Sequence, residues 1–372
     1  MIIVSDVLFV IEAKAGNLPM QSPATNFASH ERVIQKLLVE AYRQCRRFLE
    51  YLASAPEVAL YVRRNGAYVE DRRIRIGTFR VILPIGLTVE TFSPFSATVK
   101  ELPGLEPILG NHPFVSMSVD DLFVLRRFLP STGELLHYLE VRQQVAGIPN
   151  AMLFDEFDHL GAYISINRFD LAIKEQLSKA DQVTWDSFSD VVDHYFGEFE
   201  WQTKNIPTQD MPAKLAEVIA ALDRCRPADW LMADSHLRNF SSEGRRDVAE
   251  HIKSLEHSLH TYPRRHFSMG GQNLLQVWLC RAGAEPSLQE PKDRAQASCL
   301  TMGTSKGLVL ILSYRQSDRI GYVSCQTVPA PNILQNNYGE LQQGNCSGPS
   351  GIGVRPGTVS GRLRWPGGQI CG

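Results

Sequence analysis

The first hydrophobic pattern along the chain is an uninterrupted apolar run, Val7 to Ile11, that is followed by Glu12 and Lys14. Four of its five residues are β-branched or aromatic, and no polar residue alternates with them. This pattern predicts a strand buried on both faces, because a half-exposed strand would alternate apolar and polar positions. Glu12 and Lys14 are two residues apart, so the strand places both side chains on one face at its carboxyl end, where sheets commonly place active sites. Gly16 to Pro19 predict an exit loop.

A helical pattern follows from Ser29 to Leu52. Apolar residues recur at about 100° per residue around this segment, which predicts one long helix packed on the sheet by its apolar face. Gln44 and Tyr51 lie on the flank of that face, and the opposite face carries a basic stripe that is open to a phosphate backbone or to water. The stripe consists of Arg32, Lys36, Arg43 and Arg47.

The next segment has the pattern of strands. Asn65 and Gly66 predict the tight turn of a hairpin, because this dipeptide adopts the backbone conformation that such turns need. Phe79 to Thr91 predicts a central strand, although Pro84 within it indicates an edge or a bulge. Phe114 to Met117 predicts a further short strand, and Ser118 begins a helix as part of a capping box.

The remainder is predicted to be mainly helical, with a strand at Leu308 to Tyr314 that can pair with Ile320 to Val328. Asp155 to His159 indicates an acidic turn rather than a metal site, because no partner cluster accompanies it. Four histidines in and after the last long helix lack ligand spacing and are expected on a solvated surface. They are His251, His257, His260 and His266. Further helices are expected at Leu135 to Val145, Ser187 to Phe199, Pro212 to Cys225 and Glu243 to Leu259.

The order of these elements predicts an α/β fold with a mixed sheet flanked by helices, followed by a mainly helical region. The expected divisions are an α/β domain over residues 1–130, a helical domain over 131–283, a β-hairpin region over 284–329 and a disordered tail over 330–372. Glycine and proline make up about a third of that tail, and its residues show no periodicity.

Charge and cysteine content narrow the functional classes. The net charge of −2 conceals an asymmetry, since residues 28–80 hold 11 Arg or Lys against 6 Asp or Glu, while residues 150–200 hold 3 against 11. Only the basic region, residues 28–80, has the excess positive charge that favours binding to nucleic acid. Seven scattered cysteines without a metal-binding spacing favour a reducing cytoplasm and argue against structural zinc. No apolar run approaches the roughly 20 residues of a membrane span.

The sequence from Phe9 to Gly16, with its hydrophobic strand, Glu-x-Lys and glycine turn before a long amphipathic helix, resembles the PD-(D/E)xK nuclease superfamily. The fold of that superfamily is called restriction-endonuclease-like. The sequence of this stretch is most similar to that of the nuclease-related domains of bacterial proteins. The resemblance covers about the first third of the chain.

The resemblance implies metal-dependent hydrolysis of phosphodiester bonds in nucleic acid, with DNA favoured. Glu12 and the backbone carbonyl of Ala13 would bind Mg²⁺ or Mn²⁺, Lys14 would position and activate water, and Gln44 would be a secondary catalytic contact. The basic side chains of Lys36, Arg43 and Arg47 are the expected nucleic-acid contacts. Two other classes stay open: a catalytically degenerate nuclease fold that only binds nucleic acid, and a protein interaction module with a coincidental Glu-x-Lys.

One departure from the family pattern concerns its first acid, which lies on the strand before the Glu-x-Lys strand. Only Met1 to Asp6 precede that strand here. We expect Ser5 and Asp6 to form a turn and the family's first acid to lie upstream, so that residues 1–372 alone cleave poorly. Asp6 is six residues before Glu12, which is roughly 20 Å along a straight strand.

Overall fold

The computed structural model of the chain describes residues 1–16, 19–22, 24–89, 97, 99–315 and 319–331. Asn17 and Leu18 of the predicted exit loop, and all but the first two residues of the predicted tail, lie outside this set. The chain divides into two compact units. Unit 1 contains Met1–Asp210 and Asp234–Asn239, and unit 2 contains Met211–Ala233 and the described residues from Phe240 onward.

Unit 1 contains a mixed four-stranded sheet, as expected for the α/β class. The first six strands among the described residues are β1 (Ile2–Val4), β2 (Val7–Lys14), β3 (Val58–Arg64), β4 (Ala67–Ile74), β5 (Val81–Thr88) and β6 (Val115–Ser118). The sheet has the order β1-β2-β5-β6, with β1 antiparallel to β2 and the other three strands parallel. β3 and β4 form the predicted hairpin, with Asn65 and Gly66 at positive φ in its turn.

The long helix predicted after the first strand is present as three consecutive parts. They are α1 (Phe27–Ile34), a π-helical turn (Gln35–Val39) and α2 (Glu40–Ala53). Leu8 and Val10 of β2 pack in one core with Ala41, Cys45 and Leu49 of α2, so the apolar face of the helix covers the sheet as predicted.

β5 is a central strand despite its proline. Pro84 is registered with Val10 of β2 without a bulge, and it precedes the first pair between β5 and β6, which is Ile85 with Val115. Pro84 therefore lies at a local edge, which is one of the two expected alternatives, although β5 as a whole is central in the sheet and has no bulge against β2. Proline is tolerated here because the β6 side of the strand is not yet paired at this position.

The second half of unit 1 is built mainly from helices. They are α3 (Val119–Phe128), α4 (Thr132–Ala146), α5 (Glu156–Ile166), α6 (Phe169–Leu177) and α7 (Asp190–Gly197), with a parallel strand pair β7 (Ala151–Leu153) and β8 (Val183–Trp185). The capping box predicted at Ser118 is present and pairs it with Asp121. The sequence did not predict α5, because seven of its first eight residues are buried and no single apolar face exists.

Unit 2 contains a second four-stranded sheet, in the order β12-β11-β10-β9. Its elements are α8 (Ala213–Cys225), α9 (Trp230–Arg238), α10 (Ser242–Ser258), β9 (Arg264–Met269), β10 (Leu274–Arg281), α11 (Gln289–Met302), β11 (Lys306–Tyr314) and β12 (Ile320–Pro329). The last five residues of α9 belong to unit 1. The central strands β10 and β11 are parallel, and each edge strand is antiparallel to its neighbour.

This architecture differs from the expected divisions. Unit 1 extends past residue 130 to Asp210, and the region expected to be helical up to residue 283 contains β9 and β10. The pairing of β11 with β12 is confirmed, but these strands belong to a larger sheet. No helix among the described residues is long and apolar enough to cross a lipid bilayer.

Candidate active site

Glu12 and Lys14 lie on one face of β2, on the side covered by α2. Leu8 and Val10, at alternate positions of the same strand, pack in the core with α2. Side chains two residues apart in a strand point to the same face, so Glu12 and Lys14 continue this row at the carboxyl end. Both residues are half-buried, whereas Ala13 between them is exposed.

Lys14 contacts Gln44 of α2 across the end of the strand. The Nζ of Lys14 donates a hydrogen bond to the Oε1 of Gln44 over 2.5 Å. The helix lies close to the strand here, because the buried Sγ of Cys45 is 3.5 Å from the carbonyl oxygen of Val10. An ammonium group only donates, so the amide oxygen of Gln44, and not its NH₂ group, faces Lys14.

The carboxylate of Glu12 makes no hydrogen bond or ion pair with the residues that the structure describes. Its charge acts on Cys45, which lies beside it in the core. Burial, and after it the negative charge of Glu12, raise the pKa of the Cys45 thiol to about 12. Cys45 is therefore a neutral, unreactive thiol at neutral pH.

The backbone carbonyl of Ala13 points away from β5. Val4 and Val7 flank the two-residue turn of the β1–β2 hairpin and form a hydrogen-bonded pair. The backbone N–H and C=O groups of odd-numbered residues in β2 therefore point toward the β1 side. β1 pairs with β2 only as far as Phe9, opposite Ile2. Among the described residues, the Ala13 carbonyl therefore has no strand beside it, and it lies next to Glu12.

Polar residues also end the neighbouring strands. Lys14 is registered with Thr88 of β5, and Thr88 is registered with Ser118 of β6. Both hydroxyl residues are buried, and Ser118 accepts a hydrogen bond from the backbone N–H of Asp121 at the start of α3. Thr88 was not predicted as a site residue, and Ser118 was predicted only as the cap of a helix. The signal that identifies them is a polar residue at the end of each apolar parallel strand.

Gly86 lies beside Glu12 in the sheet, and its lack of a side chain leaves room for the ring of Phe114. A Cβ on Gly86 would lie 2.6 Å from the ring of Phe114 and 3.5 Å from the Cβ of Ala41 on α2. Ser116 continues the same row on β6, and its buried Oγ has no partner in the described part of the chain.

Asp6 lies at the opposite end of β2 from Glu12, in the predicted turn with Ser5. Its carboxylate accepts a hydrogen bond from the Nε of Arg80 over 2.6 Å, and Arg80 also binds Glu140 of α4 over 2.8 Å. Asp6 therefore stabilises the hairpin end of the sheet and does not contribute to the site around Glu12.

The basic stripe on the long helix differs from the other basic residues of the basic region. Lys36, Arg43 and Arg47 are exposed, and they form no ion pair with the described residues. In contrast, most arginines on and after the β3–β4 hairpin, other than Arg63, are paired with acids. These pairs are Arg64 and Arg72 with Asp71, Arg73 with Glu70, and Arg75 with Glu57.

Tyr51 does not join Gln44 at the strand end. Its hydroxyl donates a hydrogen bond to the carbonyl oxygen of Ala59 in β3 over 2.6 Å, at the far end of α2. Gln44 and Tyr51 are seven positions apart in the sequence, which corresponds to about 10 Å along a helix. Tyr51 therefore connects the helix to the hairpin.

The acidic turn at residues 155–159 has a structural role. Asp155 caps α5 by accepting the backbone N–H of Asp158, and Asp158 accepts the backbone N–H of Ser189 over 2.9 Å. Glu156 is buried and binds the Nε of Arg142 over 3.1 Å. Burial raises the pKa of Glu156, while the charge of Arg142 opposes that shift.

Comparison with protein-family models, with curated proteins and with solved structures found no match to this chain. Among the described residues, no group of three or more His, Cys, Asp or Glu side chains has the arrangement of a metal site.

Proposed function

We propose that unit 1 is a metal-dependent nuclease of the PD-(D/E)xK type that hydrolyses phosphodiester bonds of nucleic acid, with DNA favoured over RNA. One observation carries the proposal: Lys14 reaches Gln44 across the carboxyl end of β2, on the face that also carries Glu12. Phosphodiester hydrolysis needs an oriented water and positive charge beside the phosphate, and these residue types supply both.

The oxygen atoms of Glu12 and Ala13 fit a hard divalent cation such as Mg²⁺ or Mn²⁺, which prefers carboxylate and carbonyl ligands. Mg²⁺ usually keeps several waters and takes one or two carboxylates together with phosphate oxygens of the substrate. The described residues add no cluster of further acids, so the protein would hold the ion with few ligands. A bound ion would polarise the phosphate and lower the pKa of a coordinated water.

Lys14 would act as a fixed positive charge. Its Nζ can donate to the attacking water and to a non-bridging phosphate oxygen, because an ammonium group has three donors and Gln44 takes one. Gln44 holds the ammonium in place, which avoids reorganisation when negative charge develops on the phosphate. Glu12 would bind the ion, and its negative charge would offset the positive charge of Lys14.

Nicking of supercoiled plasmid tests this assignment, because a single cut is detected. With Mg²⁺ or Mn²⁺ we expect slow nicking by residues 1–372, since two protein ligands hold the ion loosely. Glu12→Ala and Lys14→Ala should each lower the rate at least about 100-fold, in the range of losing one preorganised electrostatic contact. Equal nicking by wild type and both variants would refute the nuclease proposal.

Asp6→Asn is the matched control, because it removes an acid at the other end of the same strand. Its nicking rate should equal that of the wild type once circular dichroism has confirmed folding. Robust cleavage that is lost in Asp6→Asn would instead identify Asp6 as a ligand and contradict the assigned site.

A second candidate function is nucleic-acid binding without cleavage. The unpaired side chains of Lys36, Arg43 and Arg47 favour it, because they remain available to phosphates whether or not a metal binds. DNA binding with no metal-dependent nicking would support this function. Failure to bind DNA at all would favour the interaction-module alternative.

We also propose a cytoplasmic location. Each of the five cysteines that the structure describes is a free thiol. Free cysteines are typical of reducing compartments, where disulfides do not persist.

A further inference from the structure

A pocket of about 820 Å³ lies within unit 2, at the carboxyl ends of β10 and β11. These central strands are parallel, and the pair Arg281 and Tyr314 ends their register. Lys214 of α8 and Lys253 of α10 contribute to the other wall. Open sheets bind ligands at the carboxyl ends of their parallel strands, so the pocket lies where a ligand site is expected.

The lining is basic, and its cations are of two kinds. Lys214 is held by carboxylates, with Glu217 at 2.6 Å and Glu256 at 2.8 Å. Burial would lower the pKa of Lys214, but the bonds to these two carboxylates raise it overall, so the ammonium is charged. Lys253 pairs with Glu250 over 3.0 Å.

Arg281 and Arg315 are different, because their guanidinium groups have no ion pair or side-chain hydrogen bond among the described residues. Arg315 packs its stem on Gly321 of β12, where a Cβ would lie 2.6 Å from the Cγ of Arg315. Arg281 and Arg315 therefore line the pocket without a carboxylate partner in the part of the chain that the structure describes.

The hydroxyl of Tyr314 is the second indication of a ligand. Tyr314 is only 5% exposed, and its hydroxyl has no hydrogen-bond partner in the described part of the chain. A buried polar group without a partner is unfavourable. Burial, with the nearby charges of Glu256 and Glu217, raises the pKa of this phenol, so it stays protonated and can donate.

We propose that this pocket binds the phosphate group of a phosphorylated small molecule, with Arg281 and Arg315 contacting its oxygens and the Tyr314 hydroxyl donating a further hydrogen bond. Two guanidinium groups without carboxylates match the charge of roughly −2 on a phosphate monoester, and their planar donor forks match its oxygens. The volume lies within the range of about 300–1,000 Å³ that is typical of small-molecule sites, which leaves room for an organic group of nucleotide size.

Isothermal titration calorimetry of the full chain tests this site with AMP, adenosine and inorganic phosphate. AMP should bind, inorganic phosphate should bind more weakly, and adenosine should not bind, because the phosphate supplies the contacts. Arg281→Gln and Arg315→Gln should each weaken AMP binding at least tenfold. Arg264→Gln, which removes the same charge from β9 outside the pocket, should leave AMP binding unchanged.

Tyr314→Phe separates a ligand contact from a structural role. The ring is kept and no existing hydrogen bond is lost, so the melting temperature should not fall, while AMP binding should weaken several-fold. Unchanged AMP binding in all three pocket variants, or binding of adenosine as tight as AMP, would overturn the proposal. Binding of a 5′-phosphorylated oligonucleotide in the absence of AMP binding would also overturn the assignment to a small molecule.

Discussion

The thiol of Cys45 reports how closely α2 lies on β2. Its pKa is raised to about 12 by burial and by the charge of Glu12. At pH 8 only about one thiol in 10⁴ would then be ionised, against about one in 10 for a thiol with a pKa near 9, because each pKa unit changes the ratio tenfold. Iodoacetamide, which attacks the thiolate, should therefore modify Cys45 far more slowly than an exposed cysteine.

Mass spectrometry of the alkylated native protein measures this, with the half-buried Cys225 as the internal reference. We expect Cys45 to be modified at least about 100-fold more slowly than Cys225 at pH 8, and at a similar rate in urea. Comparable rates in the native protein would mean that α2 does not cover the end of β2.

The sequence predicted some residue positions because they depend on local geometry alone. Strand alternation was sufficient to place Glu12 and Lys14 on one face. The partner of Lys14 was a weaker inference, because contact with Gln44 depends on how closely the helix approaches the sheet. That approach is set by how the side chains of β2 and α2 pack in their shared core, which a linear pattern does not specify.

At the scale of elements, the basic stripe on the long helix is the surface best suited to a phosphate backbone. We expect the double variant Arg43→Ala with Arg47→Ala to weaken DNA binding and to lower the slope of log K against log salt by about 2, since each phosphate contact contributes about 0.9. Fluorescence anisotropy with a labelled duplex at several salt concentrations measures both quantities.

The double variant Arg72→Ala with Arg73→Ala is the matched control, because it removes the same charge from the β3–β4 hairpin. Arg72 is paired with Asp71 and Arg73 with Glu70, so these arginines should contribute little to DNA binding. If the hairpin variant lowers the salt slope and the helix variant does not, the DNA contact lies on the hairpin.

Elements with one apolar face were predicted well, and elements buried on all sides were not. The long helix exposes about half of its residues, so its sequence repeats at the helical period. The β3–β4 hairpin was predicted from the turn at Asn65 and Gly66. In contrast, β10 is buried from Leu274 to Cys280, and a short apolar run of this kind fits a buried strand or a buried helix equally. His266 of β9 is exposed, as expected, and one face of its ring stacks on Trp278 of β10 at 4.3 Å between ring centroids.

At the scale of the whole molecule, stability depends on a buried ion pair in the helical half of unit 1. Glu156 of α5 binds Arg142 of α4, and it also accepts a hydrogen bond from the hydroxyl of Tyr138. Glu156→Ala would leave the charge of Arg142 buried without a partner. We expect it to lower the free energy of unfolding by about 3–5 kcal/mol, a large part of the roughly 5–15 kcal/mol that is typical of a domain.

Urea unfolding followed by circular dichroism measures this loss, with Glu175→Ala as the control. Glu175 pairs with Lys179 at the surface, where a salt bridge contributes about 0–1 kcal/mol. A similar small effect for Glu156→Ala would show that water reaches Arg142 in the native protein.

The division into two units was beyond prediction from a linear sequence because unit 1 is discontinuous. Asp234–Asn239 belongs to unit 1 although it follows a segment of unit 2. Asn239 holds it there by accepting hydrogen bonds from Arg168 over 2.6 Å and from the ring of His137 over 3.1 Å. A method that divides the chain at composition changes cannot find a segment that returns to an earlier unit.

The π-helical turn between α1 and α2 determines where a one-residue insertion or deletion can be tolerated in the long helix. Leu37, Leu38 and Val39 are all buried there, although successive residues of an α-helix point about 100° apart. A π turn holds more residues than an α turn, so it absorbs an added residue locally and leaves the flanking helical faces aligned. Homologues one residue shorter within Gln35–Val39 would therefore still present Gln44 to Lys14. A one-residue change inside α2, between that turn and Gln44, would rotate the amide out of reach.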